Sequence, residues 1–319
     1  MIKFPKIKQF KDTVHSVKSE HDFRGFDENN VAIYEHLSPY PTITFYGTVK
    51  LHGTNAAVVH YKDSNDIKYQ SRNRELSLMS DNASFCASIH GYNWISVFEQ
   101  YEYKNHIAIF GEWIGQGIQK GVAICQLPKM FVIFAVLADE QWKELPILED
   151  NPLVTRIDRC EKYFIAIDFN SPETVLSTLT ELTDKVENQC PFAATFGIEG
   201  IGEGIVWKSE NNQYTFKTKG KLHRESVDEE IVDKPNFADA DTFVERTCTP
   251  QRLEKLYERL KDEKENLSAK DTLDYLKLVA NDIFEEENLT MSESRLDAKR
   301  VIGGITRKAR IYFLSKVQE

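Results

Sequence analysis

From Thr42 to Lys219 the apolar positions come in short stretches rich in Val, Ile, Phe and Tyr. They predict strands at Thr44-Phe45-Tyr46, Ala56 to Tyr61, Ile107 to Ile114 and Phe131 to Leu137. A helix is predicted over Pro172 to Glu187, where Val175, Leu179, Leu182 and Val186 follow helical spacing. Another is predicted over Ala83 to Tyr101, broken near Gly91. After Asp233-Lys234-Pro235-Asn236 the period changes. Leu253, Leu256, Tyr257 and Leu260 form one helical stripe, and Leu273, Leu276, Ala280 and Ile283 form a second. Ser268 with Asp271 three residues on suits a helix start, and Gly303-Gly304 predicts a break or kink in the last helix. The chain therefore reads as α+β, with residues 1–234 as one domain and 235–319 as a small all-helical C-terminal domain.

The 319 residues suffice for two domains that each bury a core, and no apolar run approaches the roughly 20 residues of a membrane span. The opening Met1 to Lys8 stretch has charges but no apolar core, so no secretory signal is expected and a cytoplasmic setting is. Cys86, Cys125, Cys160, Cys190 and Cys248 are odd in number and widely spaced, which favours reduced thiols over disulfides or structural zinc. The net charge of -10 argues against indiscriminate polyanion binding. It is unevenly spread, however. Lys3, Lys6, Lys8, Lys11 and Lys18 enrich the N-terminus, and Arg295, Lys299, Arg300, Arg307, Lys308 and Arg310 the last segment. Acid dominates between them, as in Asp228-Glu229-Glu230 and Glu285-Glu286-Glu287.

Four short runs carry candidate chemistry: Lys50-Leu51-His52-Gly53-Thr54-Asn55, Phe110-Gly111-Glu112, Glu203-Gly204-Ile205-Val206 and Phe216-Lys217-Thr218-Lys219. A lysine attacks phosphorus only as the neutral amine, which nearby positive charge promotes, and Lys217 and Lys219 can supply that charge. The same pair would neutralise nucleotide phosphates and a departing pyrophosphate. Glu112 and Glu203 are hard oxygen donors suited to a ribose hydroxyl or a hydrated magnesium ion. Each run alone is commonplace; their order and placement on strands and one hairpin, with Asn211-Asn212 at its turn, carry the inference. Gly115 to Gly121 mimics a phosphate loop but lacks the Gly-Lys-Ser/Thr ending, and Lys120 within it is a possible phosphate contact.

At these residues the chain resembles the covalent nucleotidyltransferase superfamily of ligases and capping enzymes, and within it the RNA ligase 2 family of phages and their relatives. Lys50 to Asn55 match that family's Lys-x-His-Gly-Thr-Asn motif, where DNA ligases and capping enzymes usually have Asp at the place of His52. Ser71-Arg72, Phe110-Gly111-Glu112, Glu203 to Lys208 and Lys217-Thr218-Lys219 resemble the motifs that follow. The resemblance implies a nucleotidyltransferase domain of antiparallel sheets with flanking helices. It also implies an ATP-dependent RNA ligase in which Lys50 becomes a lysyl-AMP, AMP passes to a 5′-phosphate end, and a 3′-hydroxyl displaces it. Lys50, Lys217, Lys219 and Glu203 are then catalytic. Val49, Leu51, Asn55, Arg72, Glu112 and an aromatic ring line the nucleotide, and His52, Asn55 and Arg72 help later steps.

The ring that would stack on adenine is Phe131 or Phe134, on opposite faces of a regular strand; Phe131 is preferred and Phe134 stays open. Glu203 and Glu112 are the metal candidates, for Mg2+ or Mn2+. Some family members have Glu before the nucleophile; this chain has Val49, so a main-chain carbonyl must read adenine or GTP is also accepted. A helical tail in place of an OB-fold favours RNA ends at nicks in duplex RNA or RNA/DNA hybrid as substrate, and a monomer. A DNA-preferring ligase, a capping-type enzyme and a catalytically idle nucleotide- or RNA-binding protein are the alternatives.

Overall fold

The computed structural model describes residues 1–36, 39–224, 239–264 and 267–317. The change of period at 233–236 and the acidic run 228–230 lie outside the described residues. The chain divides into two compact units, one comprising 1–7, 42–168 and 177–220, the other 8–41, 169–176 and 221–319. It is a mixed α+β structure.

The first unit holds two sheets. Its strands are β1 (Thr42–Lys50), β2 (Thr54–Tyr61), β3 (Asp66–Ser71), β4 (Glu75–Leu76), β5 (His106–Ile114), β6 (Met130–Ala138), β7 (Gln141–Lys143), β8 (Val154–Arg156), β9 (Tyr163–Asp168), β10 (Gly204–Ser209) and β11 (Thr215–Lys219). One sheet runs β11-β10-β1-β9 within this unit, and the other β7-β6-β5-β2-β3-β4 with β8 beside β6. Pairing is antiparallel except for the parallel β8–β6 pair.

Alternation along β1 decides which residues face the core. Phe45, Gly47 and Val49 are buried, and Tyr46, Thr48 and Lys50 take the other face. Ile205, Trp207 and Phe216 continue the buried side. The helix at Leu176–Asn188, entered through a 3-10 turn at Pro172–Val175, is tied to that side: the Thr183 hydroxyl donates to Thr218 Oγ1 at 2.7 Å, and the Trp207 indole donates to the same oxygen at 3.2 Å. The larger sheet buries Ile109, Trp113, Phe131 and Ile133 under the short helices Phe85–Ile89 and Trp94–Phe98, which flank Gly91 as expected.

In the second unit the helices are α1 (Phe10–Asp22), α2 (Ala240–Thr247), α3 (Pro250–Glu263), α4 (Thr272–Glu293) and α5 (Ala298–Lys316), with a hairpin of Phe23–Phe26 and Ala32–Tyr34. Thr249 caps α3, and Ser268 with Asp271 forms the expected capping box in the turn before α4. Leu253, Leu256 and Leu260 of the first stripe are buried, and Leu276 and Ile283 of the second. Two details differ from the sequence pattern. Leu273 is 61% exposed, its place in the core taken by Tyr275 and Val279. Gly303-Gly304 does not break α5, which runs through both residues. A Cβ on Gly304 would come 2.9 Å from Val244, so the missing side chain lets α2 and α5 approach. No helix among the described residues is long and apolar enough to cross a membrane.

Candidate active site

Lys50 ends β1 in register with Gly204 of β10, which in turn pairs with Lys219 of β11. The next row on that face holds Thr48, Val206 and Lys217, and the one beyond it Tyr46, Lys208 and Thr215. One face of the smaller sheet therefore presents Lys50, Lys208, Lys217 and Lys219, while its other face is core. The main chain turns sharply between Lys50 and Thr54 because β2 belongs to the other sheet. Gly53 permits this close approach: a Cβ there would lie 2.3 Å from the Trp113 carbonyl oxygen. The Gly53 N–H donates to Glu112 Oε1 at 3.2 Å, and Glu112 faces Asn55 across the β2–β5 pair.

Glu203 stands at the centre. It is 5% exposed, its Oε2 accepts from Lys50 Nζ at 2.6 Å, and His52 Nδ1 lies 3.4 Å from the same oxygen. Gly204 allows Glu203 to sit there, with φ +154° and no room for a Cβ beside the Thr218 carbonyl. Burial works to raise the Glu203 carboxyl, but the charges of Lys50, His52 and Lys219 prevail and hold it well below the ordinary carboxylate range. Glu112 goes the other way. Burial, reinforced by the negative charge of Glu203, pushes it up to about 7 against the pull of Lys50, the Gly53 N–H and Arg72. Two carboxyls near one lysine thus have opposite proton affinities, an arrangement that separates an anion from a proton carrier.

The structure brings together Lys50, His52, Gly53, Glu112, Glu203 and Lys219, with Lys217 on the same sheet face and the exposed Arg72 close enough to act on Glu112. Asn55 shares the Glu112 row, and Leu51 is buried in the turn. Val49 is 2% exposed on the core face beside Ile205, so only its main chain can reach the site.

Phe131 is placed elsewhere than preferred. It pairs with Trp113 rather than lying in the Glu112 row, and it is closed off among Phe85, Trp94 and Trp113. Phe134 instead packs against Ala57 and Phe110, on the face that carries Glu112 and Asn55. It lies at a bulge where Phe110 pairs with Ala135 and Gly111 with Ile133, yet it keeps the face opposite Phe131 that alternation assigns it; the inversion falls on Ala135 and the residues that follow. Lys208 was not assigned a role from sequence. Its Nζ donates to the Phe134 carbonyl oxygen at 3.1 Å, and burial lowers its pKa to about 8. The signal was available, since Lys208 lies two positions from Val206 on the face shared with Lys217. Lys120 lies in a loop and lines a cavity of about 460 Å³ together with Gln119, Gln126 and Gly200.

Residues 43–222 match the model of the RNA ligase family. No curated protein sequence matches the chain. Similar solved structures include a Naegleria gruberi RNA ligase mutant with AMP and Mn, at 17% identity and a TM-score of 0.42 over 69% of this chain and 56% of that one. A second mutant of that ligase, with ATP and Mn, is 17% identical with a TM-score of 0.42 over 72% of this chain and 59% of that one. The same ligase with PPi gives 17%, 0.42, 69% and 56%. The chain thus spans less than two thirds of the length of these ligases. The family match covers more than half of the chain and encloses Lys50, His52, Glu112, Glu203, Lys217 and Lys219 together, so the protein belongs to the RNA ligase family.

Proposed function

We propose that this protein is an ATP-dependent RNA ligase that carries AMP on Lys50. The observation that supports it best is the Lys50–Glu203 contact of 2.6 Å inside a ring of cations, with the high-pKa Glu112 across the turn.

In the first step Lys50 Nζ forms a bond to the α-phosphorus of ATP as the bond to the pyrophosphate oxygen breaks, and the amine loses a proton. Glu203 Oε2 holds the lysine head at 2.6 Å as an anion, and the proton leaves to solvent on the open side of Lys50. Lys217 and Lys219 offset charge on the triphosphate and on the departing pyrophosphate. The neutral form of Glu112 can donate to a ribose hydroxyl, and the Phe134 ring takes the stacking role. In the second step an oxygen of a 5′-phosphate end attacks the AMP phosphorus, breaking the N–P bond and restoring Lys50; His52, Asn55 and Arg72 are placed to hold that end. In the third a 3′-hydroxyl displaces AMP and a phosphodiester forms.

The donors fit a hydrated divalent cation held by one or two carboxylates and substrate phosphates, with Glu203 first and Glu112 second. Among the described residues no group of three or more His, Cys, Asp or Glu forms a protein cage, as such a cation requires none. When bound it would offset phosphate charge.

The helical C-terminal segment, as a domain of its own, would orient RNA ends at nicks in duplex RNA or RNA/DNA hybrid. Arg295, Lys299, Arg300, Arg307 and Arg310 are exposed, whereas Lys308 is paired with Glu245 at 2.8 Å. The test is incubation with α-labelled ATP and magnesium. Label is expected on the protein and absent from Lys50→Ala; no label on the native protein, or label persisting in Lys50→Ala, overturns the reading. Sealing of nicks with a ribose or deoxyribose at the 3′ end then tests the substrate, and equal sealing of both rejects the RNA preference.

A further inference from the structure

The first residues of the chain belong to the same unit as the site. Ile2 is held at both main-chain atoms by one side chain: its N–H donates to Gln70 Oε1 at 3.1 Å, and Gln70 Nε2 donates to its carbonyl oxygen. Gln70 is buried and pairs with Ala57, so it shares the face that carries Asn55 and Glu112. The segment is thereby laid across the inner face of the larger sheet. Two residues on, Phe4 meets three rings edge-on, with centroids 5.0 Å from Phe134, 5.3 Å from Phe110 and 5.7 Å from Trp142. Lys208 Nζ lies 6.0 Å from the Phe4 ring and 5.9 Å from the Phe134 ring, while bonded to the Phe134 carbonyl.

Phe134 needs such supports because it occupies the bulge, where the ladder between β5 and β6 slips by one residue and no longer fixes the backbone. A ring on a bulge can rock about its stem. Edge contact from Phe4 removes that freedom, and an aromatic contact of this kind has a preferred interplanar geometry, here 75°.

We propose that Phe4 is a positioning residue for the nucleotide base, setting the plane of the Phe134 ring on which the base stacks. This rests on the ATP-dependent reading above. Its consequence is that affinity for ATP, rather than chemistry on Lys50, depends on the N-terminal segment.

The test is label transfer to the native protein, Phe4→Ala, Phe4→Tyr and Gln70→Ala as ATP is varied, with thermal unfolding of each. Phe4→Ala is expected to raise KM for ATP about five- to tenfold and to narrow the preference for ATP over GTP, while the rate at saturating ATP changes by about twofold at most. Phe4→Tyr should restore KM, and Gln70→Ala should shift it in the same direction as Phe4→Ala. An unchanged KM in folded Phe4→Ala overturns the proposal. If Phe4→Ala does not fold, an unchanged KM in Gln70→Ala does so. Absence of label on the native protein is a different failure, which overturns the ligase reading itself.

Discussion

Two clusters of buried charge occupy the two units, and they are built differently. In the first unit Glu203 is enclosed, but its partners Lys50 and His52 keep 21% and 26% of their side-chain surface open. In the second Arg252 is fully buried, with Glu287 at 3.2 Å and Asp282 at 3.4 Å, and Lys11 of α1 reaches the same Glu287 at 3.0 Å. The Arg252 guanidinium also donates to the Thr247 carbonyl at 2.9 Å. The Arg252 pairs are closed, with Glu287 2% and Asp282 10% exposed, and only Lys11 at their edge keeps 22% of its side-chain surface open, so the enclosed charges act on stability and on which elements pair. An open cluster keeps a face through which a phosphate can replace one charge partner by another. Enclosure, rather than the presence of buried charge, separates a structural network from a reactive one.

The largest expected effects would break this contrast if they failed. Glu203→Gln should reduce label transfer from ATP by at least about a hundredfold, the scale of losing an electrostatic partner in a preorganised site. Its thermal midpoint should fall less than that of Arg252→Ala, because Lys50 and His52 remain partly open to water. Arg252→Ala should do the reverse, lowering unfolding stability by about 3–5 kcal/mol through the stranded carboxylates, while label per folded molecule is retained. Denaturant unfolding beside active-site titration checks both, and a swap of the two outcomes would refute the comparison.

Glu112 sharpens it through pH. Its folded carboxyl titrates at about 7 against an ordinary value of 4.5. Between those values the folded protein holds a proton that the unfolded chain has released. Stability from this group is therefore full below about pH 4.5 and is lost as pH rises through 7, by about 1–3 kcal/mol. Glu112→Gln should flatten that part of the stability profile, measured by unfolding between pH 4.5 and 8. The smallest effects come from the glycine pair of α5. Gly303→Ala, whose Cβ would meet open space, should stabilise by up to about 1 kcal/mol from helix propensity. Gly304→Ala should lose that gain to contact with Val244, so thermal midpoints of the two variants should differ in that order.

Much of the site was legible because its chemistry lies in local runs. Lys50 to Asn55 announce a strand, a turn and a second strand within six positions, and the Glu203 to Lys219 hairpin sets two lysines and a carboxylate in fixed register. Helical stripes likewise announced α3 and α4, since a 3.6-residue period needs no knowledge of the partner. The acidic run Glu285-Glu286-Glu287 shows where that reading stops. Its composition suggests a solvated surface, yet Glu286 is 6% and Glu287 2% exposed. Glu287 is paired with Arg252 and with Lys11, 276 positions away in the chain, and Glu286 accepts from Gln9 Nε2 at 3.4 Å.

Period and local motif are short-range properties, so the candidate residue types, their order and the strands that carry them were all readable along the chain. The tertiary structure alone decided that Glu203 is held ionised while Glu112 keeps its proton into the neutral range, since each depends on charges and desolvation supplied by other strands. It also decided that Phe134 rather than Phe131 lies on the face that carries Glu112, because only the pairing of β5 with β6 says which of the two alternating faces that is. Phe4 joins them for the same reason: only the path of the chain across Gln70 brings an N-terminal ring to the edge of Phe134.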